Sequence, residues 1–255
     1  MKKALIVVGT YLIIQAGMGI ALIFVKSKDV AQATTVGIEP KWLLLMLAVS
    51  AVLSFIATIL ICRKGFKAPF KWRYPSKQTL EIFGISLLTM LPLMAFSNSL
   101  TELLGVPDNM TDTFGEMSNN AWALWVMTFL GPISEEICFR YGVAGSLLEE
   151  IPSSPNVAII VSALLFGLIH MNPAQMVGAT LLGLYFGWLY AKTRSVIPSL
   201  VCHVFNNFVA VLMLQTLSKD FCIAGLLPSS NYLYLVVAVS LVVALPLLVW
   251  LNKKL

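Results

Sequence analysis

The sequence predicts an all-α polytopic membrane protein of about eight transmembrane helices, and three observations carry that reading. The 255 residues are 58% hydrophobic and only 11% charged, and a mean hydropathy of +0.87 lies far outside the range of soluble domains. Apolar stretches of about 20 residues, enough to cross the hydrocarbon core as a helix, recur along the whole chain. Lys and Arg gather in alternate loops between those stretches, as membrane orientation requires.

The expected spans run Ala4–Val25, Trp42–Cys62, Leu80–Phe96, Ala121–Leu148, Asn156–His170, Gln175–Ala191, Val196–Thr216 and Tyr232–Leu251. The first follows Lys2 and Lys3, and Ala31-Gln32-Ala33 resembles a leader-cleavage site. Its apolar run is longer than that of a leader, and Lys26, Lys28 and Asp29 intervene, so it is read as a retained helix. The fifth and sixth spans are short and separated only by residues 171–174 with Pro173, which predicts a helical hairpin. Gly183 and Gly187 form a GxxxG pair in the sixth span and predict a close helix contact. No soluble domain, low-complexity tract or internal repeat interrupts this single transmembrane domain, residues 1–255.

With eight crossings and the N-terminus inside, the inner face receives twelve of the seventeen basic residues and the outer face four, the last being Arg140. Both termini are therefore expected in the cytoplasm. The acid-bearing outer loop with Glu102, Asp108, Asp112 and Glu116 agrees. The net charge of +5 is accounted for by orientation, so no nucleic-acid partner is expected. Phe66, Phe70, Trp72 and Tyr74 interleave with the bases of the second inner loop and are read as an interfacial anchor. Cys62, Cys138, Cys202 and Cys222 stand singly, without metal-site or disulfide spacing, and are read as packing residues.

The fourth span carries Glu135, Glu136 and Arg140 in its middle. Ionisable groups at that depth cost a few kcal/mol or more each and mark a functional site. Glu136 and Arg140 are four apart with the acid first, so they are expected to neutralise each other. Glu135 points about 100° away on an α-helix and is left without a local counter-ion, which makes it the carboxylate suited to proton chemistry. Ser134 is read as a hydrogen-bonding residue of the helix, and Cys138, at i+3, as facing Glu135 without being a nucleophile.

The two histidines of the chain, His170 and His203, both sit on apolar spans, and Asn207 follows His203 by one turn. At 1.5 Å per residue from the inner ends of their spans, Glu135 and Glu136 lie roughly 18–20 Å deep, His170 about 21 Å, His203 about 11 Å and Asn207 about 17 Å. Three helices can present them at one level. A carboxylate, two imidazoles and an amide are the parts needed to activate water and hold an oxyanion.

Glu135-Glu136-Ile137-Cys138-Phe139-Arg140 fits EExxxR, Phe166-Gly167-Leu168-Ile169-His170 fits FxxxH, and His203-Val204-Phe205-Asn206-Asn207 fits HxxxN, in that order on successive apolar helices. This resembles the CPBP family of intramembrane proteases, which includes the type II CAAX prenyl endopeptidases and bacteriocin-processing or immunity proteins. The resemblance covers about Ala121 to Ala210. It implies an intramembrane active-site cavity in which Glu135 and His170 activate water and His203 and Asn207 stabilise the oxyanion. Glu136 and Arg140 would hold the site in shape. It implies either no cofactor or a divalent metal such as zinc, bound by His170 and His203; the zinc-binding HExxH pair is absent. Substrates would be membrane-associated proteins or peptides, including prenylated ones, at a bacterial cytoplasmic membrane.

Two other classes fit the sequence less well. A non-catalytic immunity or partner-chaperoning protein of the same fold would not need the motifs intact. A proton-coupled transporter of this size would show duplicated halves, whereas the charged motif occurs once. Neither a GxGD aspartate motif nor a GxSxG elbow is present.

Overall fold

A computed structural model describes residues 2–27, 39–63, 79–217 and 222–255. Within the described residues the chain forms nine helices and a short 3₁₀ turn, Ala224–Leu226, with no strand. In order, the helices are α1 Lys2–Ser27, α2 Pro40–Cys62, α3 Thr79–Leu103, α4 Thr111–Ser118, α5 over residues 123–150, α6 Pro155–Leu168, α7 Pro173–Thr193, α8 Ile197–Thr216 and α9 Tyr232–Lys254. All eight expected spans are helical. The additional helix, α4, is too short and too polar to register as a span. Apart from Arg63, the aromatic and basic loop expected as an interfacial anchor lies outside the described residues.

Proline fixes several helix starts. Pro40, Pro155, Pro173 and Pro198 stand in first turns, where a missing N–H leaves no hydrogen bond unmade. Five helical stretches are long and apolar enough to cross a membrane: Lys2–Ala21, Pro40–Cys62, Leu80–Leu103, Ile197–Thr216 and Tyr232–Lys254. Their outward faces leave large apolar side chains uncovered, among them Ile13, Leu53, Leu235 and Val242. Such a surface suits lipid and not water. The chain is an integral membrane protein.

Helix α5 is the axis of the molecule. Residues 136–148 are all buried, as expected of a helix without a polar face. One side packs on Ala4, Val7 and Tyr11 of α1 and on Cys62 of α2, the other on Ala158 and Phe166 of α6. A second core joins Ile82 and Met90 of α3, Phe186 and Leu189 of α7, Cys202 of α8 and Leu251 of α9. Lys254 Nζ lies 2.8 Å from Glu81 Oε1, tying the end of α9 to the start of α3 in an antiparallel pair.

The hairpin expected after α5 is α6 and α7, and small residues let the two helices close. Gly183 lies against Phe166 and Ala163, and Gly187 against Ile159, so the GxxxG pair makes the predicted contact. Gly167 is tighter: a Cβ there would stand 2.7 Å from the Met176 carbonyl oxygen and would collide with the Thr180 hydroxyl. That hydroxyl is itself bonded to the Met176 carbonyl at 2.7 Å. Gly167→Ala is therefore expected to cost about 1–3 kcal/mol through overpacking. Thermal unfolding in detergent would register the loss, and an unchanged midpoint would contradict this packing.

Candidate active site

The backbone of α5 departs from α-geometry on both sides of Glu135. Val126–Leu130 and Glu136–Ala144 are wound as π-helix. The amide of Gly131 accordingly reaches back five residues to the Val126 carbonyl. Single π segments of this kind recur at functional sites. Here the first has a visible cause. In an α-helix the Met127 carbonyl would accept from Gly131, but that amide is taken. The next donor position is Pro132, which has no N–H. Asn207 on α8 fills the gap: its Nδ2 donates to the Met127 carbonyl at 3.0 Å. Its Oδ1 accepts from Asn206 Nδ2 at 3.1 Å. One amide hydrogen of Asn207 remains uncommitted.

Both glutamates are directed at one imidazole. His203 Nδ1 lies 3.0 Å from Glu136 Oε1, and its Nε2 lies 3.5 Å from Glu135 Oε2. Glu136 is fully buried, whereas the Glu135 side chain keeps 19% of its surface exposed. A carboxylate that is ionised can only accept, so His203 carries a proton on Nδ1 when Glu136 is charged.

Arg140 is fully buried, with Nη1 3.4 Å from Glu136 Oε1. Its guanidinium lies over the Phe166 ring, 4.2 Å from the centroid, and 5.2 Å from that of Phe186. The charge is thus held by one carboxylate and two aromatic faces, an environment that matches a planar delocalised cation and not an ammonium. The same two rings build the walls of the site. Phe186 stacks on His203 at 5.1 Å, and Phe166 meets His203 edge to face at 5.5 Å.

His170 lies in the turn just past the end of α6 and also meets Phe166 edge to face, at 5.0 Å. Its Nδ1 lies 2.8 Å from the Phe166 carbonyl. A carbonyl only accepts, so Nδ1 bears the hydrogen and the lone pair of neutral His170 is on Nε2. That tautomer leaves Nε2 able to take a proton. Among the described residues no three His, Cys, Asp or Glu side chains converge so as to hold a metal ion. The expected pair His170 and His203 is linked instead through the shared Phe166 ring.

Residues 117–209 match the family model "Type II CAAX prenyl endopeptidase Rce1-like". The resemblance to CPBP proteases read from the three motifs holds, and the matched segment nearly coincides with the expected core, 121–210. The Rce1-like segment contains every residue of the site described above. The chain is also similar to the "Putative membrane peptidase YdiL" of Bacillus subtilis (strain 168), at 32% identity over 91 residues. That likeness takes in 35% of this chain and spans about a third, 36%, of the relative's length. No solved structure matches the chain.

The fold links Glu135 to His203, His203 to Glu136 and Glu136 to Arg140, and sets His170 beside them across Phe166. Glu135 has no counter-ion on its own helix and meets His203 from α8, which also holds Glu136. One sequence expectation changes. Cys138 does not turn to Glu135 but packs on α2, with Sγ 3.1 Å from Thr58 Oγ1 and 3.7 Å from the Ser54 carbonyl. Ser134 hydrogen-bonds the Gly131 carbonyl within its own helix, as read. The sequence reading gave no role to Phe186 and quoted Phe166 only as a motif letter. Phe166, four residues before His170, is the one whose position signalled a contact.

Proposed function

We propose that the protein is an intramembrane endopeptidase that hydrolyses a peptide bond in a membrane-associated or lipidated protein or peptide. The observation that carries this reading is the single imidazole, His203, held between the buried Glu136 and the partly exposed Glu135. It separates a structural carboxylate from one that can meet water.

In this reading a water lies between Glu135 and His170 Nε2, one of which takes its proton while the hydroxide adds to the scissile carbonyl carbon. The oxyanion accepts from His203 Nε2–H and from the uncommitted amide hydrogen of Asn207. In this reading both ring nitrogens of His203 carry hydrogen, Nδ1 toward Glu136 and Nε2 toward the oxyanion. On collapse, the C–N bond breaks and the abstracted proton passes to the leaving amine. The products are a carboxylic acid and an amine. The bond to Met127 fixes the donor Asn207, and the Phe166 carbonyl fixes His170, which takes the proton of water. The site would be served from a bacterial cytoplasmic membrane with both termini inside.

The test is direct. Purified full-length protein is offered a farnesylated CAAX peptide and a bacteriocin leader peptide side by side. Cleavage of one of them is expected, and neither His170→Ala nor His203→Ala should cleave it; variants that match the unmodified chain would refute the assignment. If instead no peptide is cut and these variants retain a protective phenotype in cells, the immunity reading takes its place. Turnover is expected to survive saturating chelator, since the proposed base is Glu135 with His170. Loss of turnover that zinc restores would place a metal on the histidines.

A further inference from the structure

The turn that carries His170 is held from outside the Rce1-like segment. Beyond His170 the chain places Met171 in the left-handed region, at φ 51°, and enters α7 at Pro173. Methionine has no preference for that conformation. Nor does its own packing hold it there, since the residue is 84% exposed. Something else fixes the turn.

That role falls to Asn172, which is fully buried. Asparagine at a helix N-cap ordinarily turns its side chain onto the first amides of the helix. Asn172 stands at the N-cap of α7 yet makes no such bond. Both ends of its amide reach the connection between α3 and α4 instead. Nδ2 donates to Asp108 Oδ1 at 3.0 Å, and Oδ1 accepts from the Asn109 backbone amide at 3.1 Å. Asp108 Oδ1 also accepts from the Met110 amide at 2.9 Å, which fixes the carboxylate. A third stitch runs from the Ala174 amide to the Pro107 carbonyl at 3.2 Å. The residue two places from His170 is thus clamped on both sides, while His170 Nδ1 is pinned from the other direction by the Phe166 carbonyl.

We propose that Asp108, acting through Asn172, is a positioning residue for His170: the clamp fixes the turn after α6 and so directs Nε2 of His170 toward the water it activates. This rests on the hydrolytic reading of His170, and its consequence is that part of the active-site geometry is supplied by a loop outside the motifs.

The hydrogen bonds allow a charge-exchange test in full-length protein in detergent. Asn172→Asp sets two carboxylates against each other and should open the clamp. The double variant Asp108→Asn/Asn172→Asp lets residue 108 donate and residue 172 accept, so all the bonds can re-form. Asp108→Ala removes two of them without introducing repulsion and serves if Asn172→Asp does not fold. The first readout needs no proteolysis: carbethoxylation of His170 by diethyl pyrocarbonate, followed by mass spectrometry, with buried His203 as the internal reference in a chain of two histidines. The rate at His170 should rise several-fold in Asn172→Asp and Asp108→Ala and return to the original in the double variant.

The second readout is kinetics on whichever of the two peptides is cleaved. The single variants should lower kcat by about tenfold or more, with KM within about twofold, and the double variant should recover it. If the modification rate is unchanged in both single variants, or the double variant is no better than Asn172→Asp, the clamp is refuted. If the modification pattern appears but neither peptide is ever cleaved, the clamp stands and the protease reading fails.

Discussion

Glu135→Gln is expected to lower peptide hydrolysis by about 10²–10⁴-fold while leaving the fold intact, the range associated with losing a positioned general base. Glutamine keeps the size of the side chain and an oxygen that can accept from His203 Nε2, now 3.5 Å away. It loses the ability to take a proton. The Glu135 side chain is partly exposed and is not the principal partner of Arg140, so no buried cation is stranded by the change. Turnover and thermal unfolding measured on the same preparation separate the two effects. A variant that is inert because it is unfolded, or folded and fully active, would contradict the role given to Glu135.

Glu136 one residue later should behave in the opposite way. Glu136→Gln is expected to destabilise the protein by about 3–5 kcal/mol, because it leaves the Arg140 guanidinium buried between Phe166 and Phe186 without a counter-charge. The same change weakens the acceptor for His203 Nδ1. Arg140→Met should cost a similar amount by stranding the carboxylate. Replacing both, as Glu136→Gln/Arg140→Met, should recover part of the loss, since a buried pair removed together leaves no uncompensated charge. Arg140→Lys should not rescue, because an ammonium cannot lie flat on the Phe166 ring. Thermal midpoints of the four variants decide this, and additive losses in the double variant would show that the two residues do not act as a pair.

These contrasts mark where the sequence was readable. The spans were legible because an apolar run of crossing length has few alternatives to a helix in a membrane. The α6–α7 hairpin followed from short spans about Pro173, and its contact from the spacing of Gly183 and Gly187. The candidate residues were legible because charged and imidazole groups are conspicuous on apolar helices. Their pairing was less so. Counting residues on an ideal helix separated Glu135 from Glu136, and only the placement of α8 sets His203 between them. Short α4, within a polar connection, carried no hydropathy signal.

Asn207 shows the boundary most clearly. Its place in HxxxN could be read from the letters, but its hydrogen bond to Met127 depends on a carbonyl left without a donor by Pro132 on another helix. The same holds for Asn172, whose side chain abandons its local cap for Asp108. The sequence by itself determined the membrane class, the order of the helices and the chemical parts that they carry. Those follow from local composition, which each segment expresses alone. Only the tertiary structure decided which carboxylate shares which imidazole, which amide is committed to the backbone and what holds the His170 turn. Those depend on hydrogen-bonding groups far apart in the chain meeting at about 3 Å, a coincidence that no local pattern records.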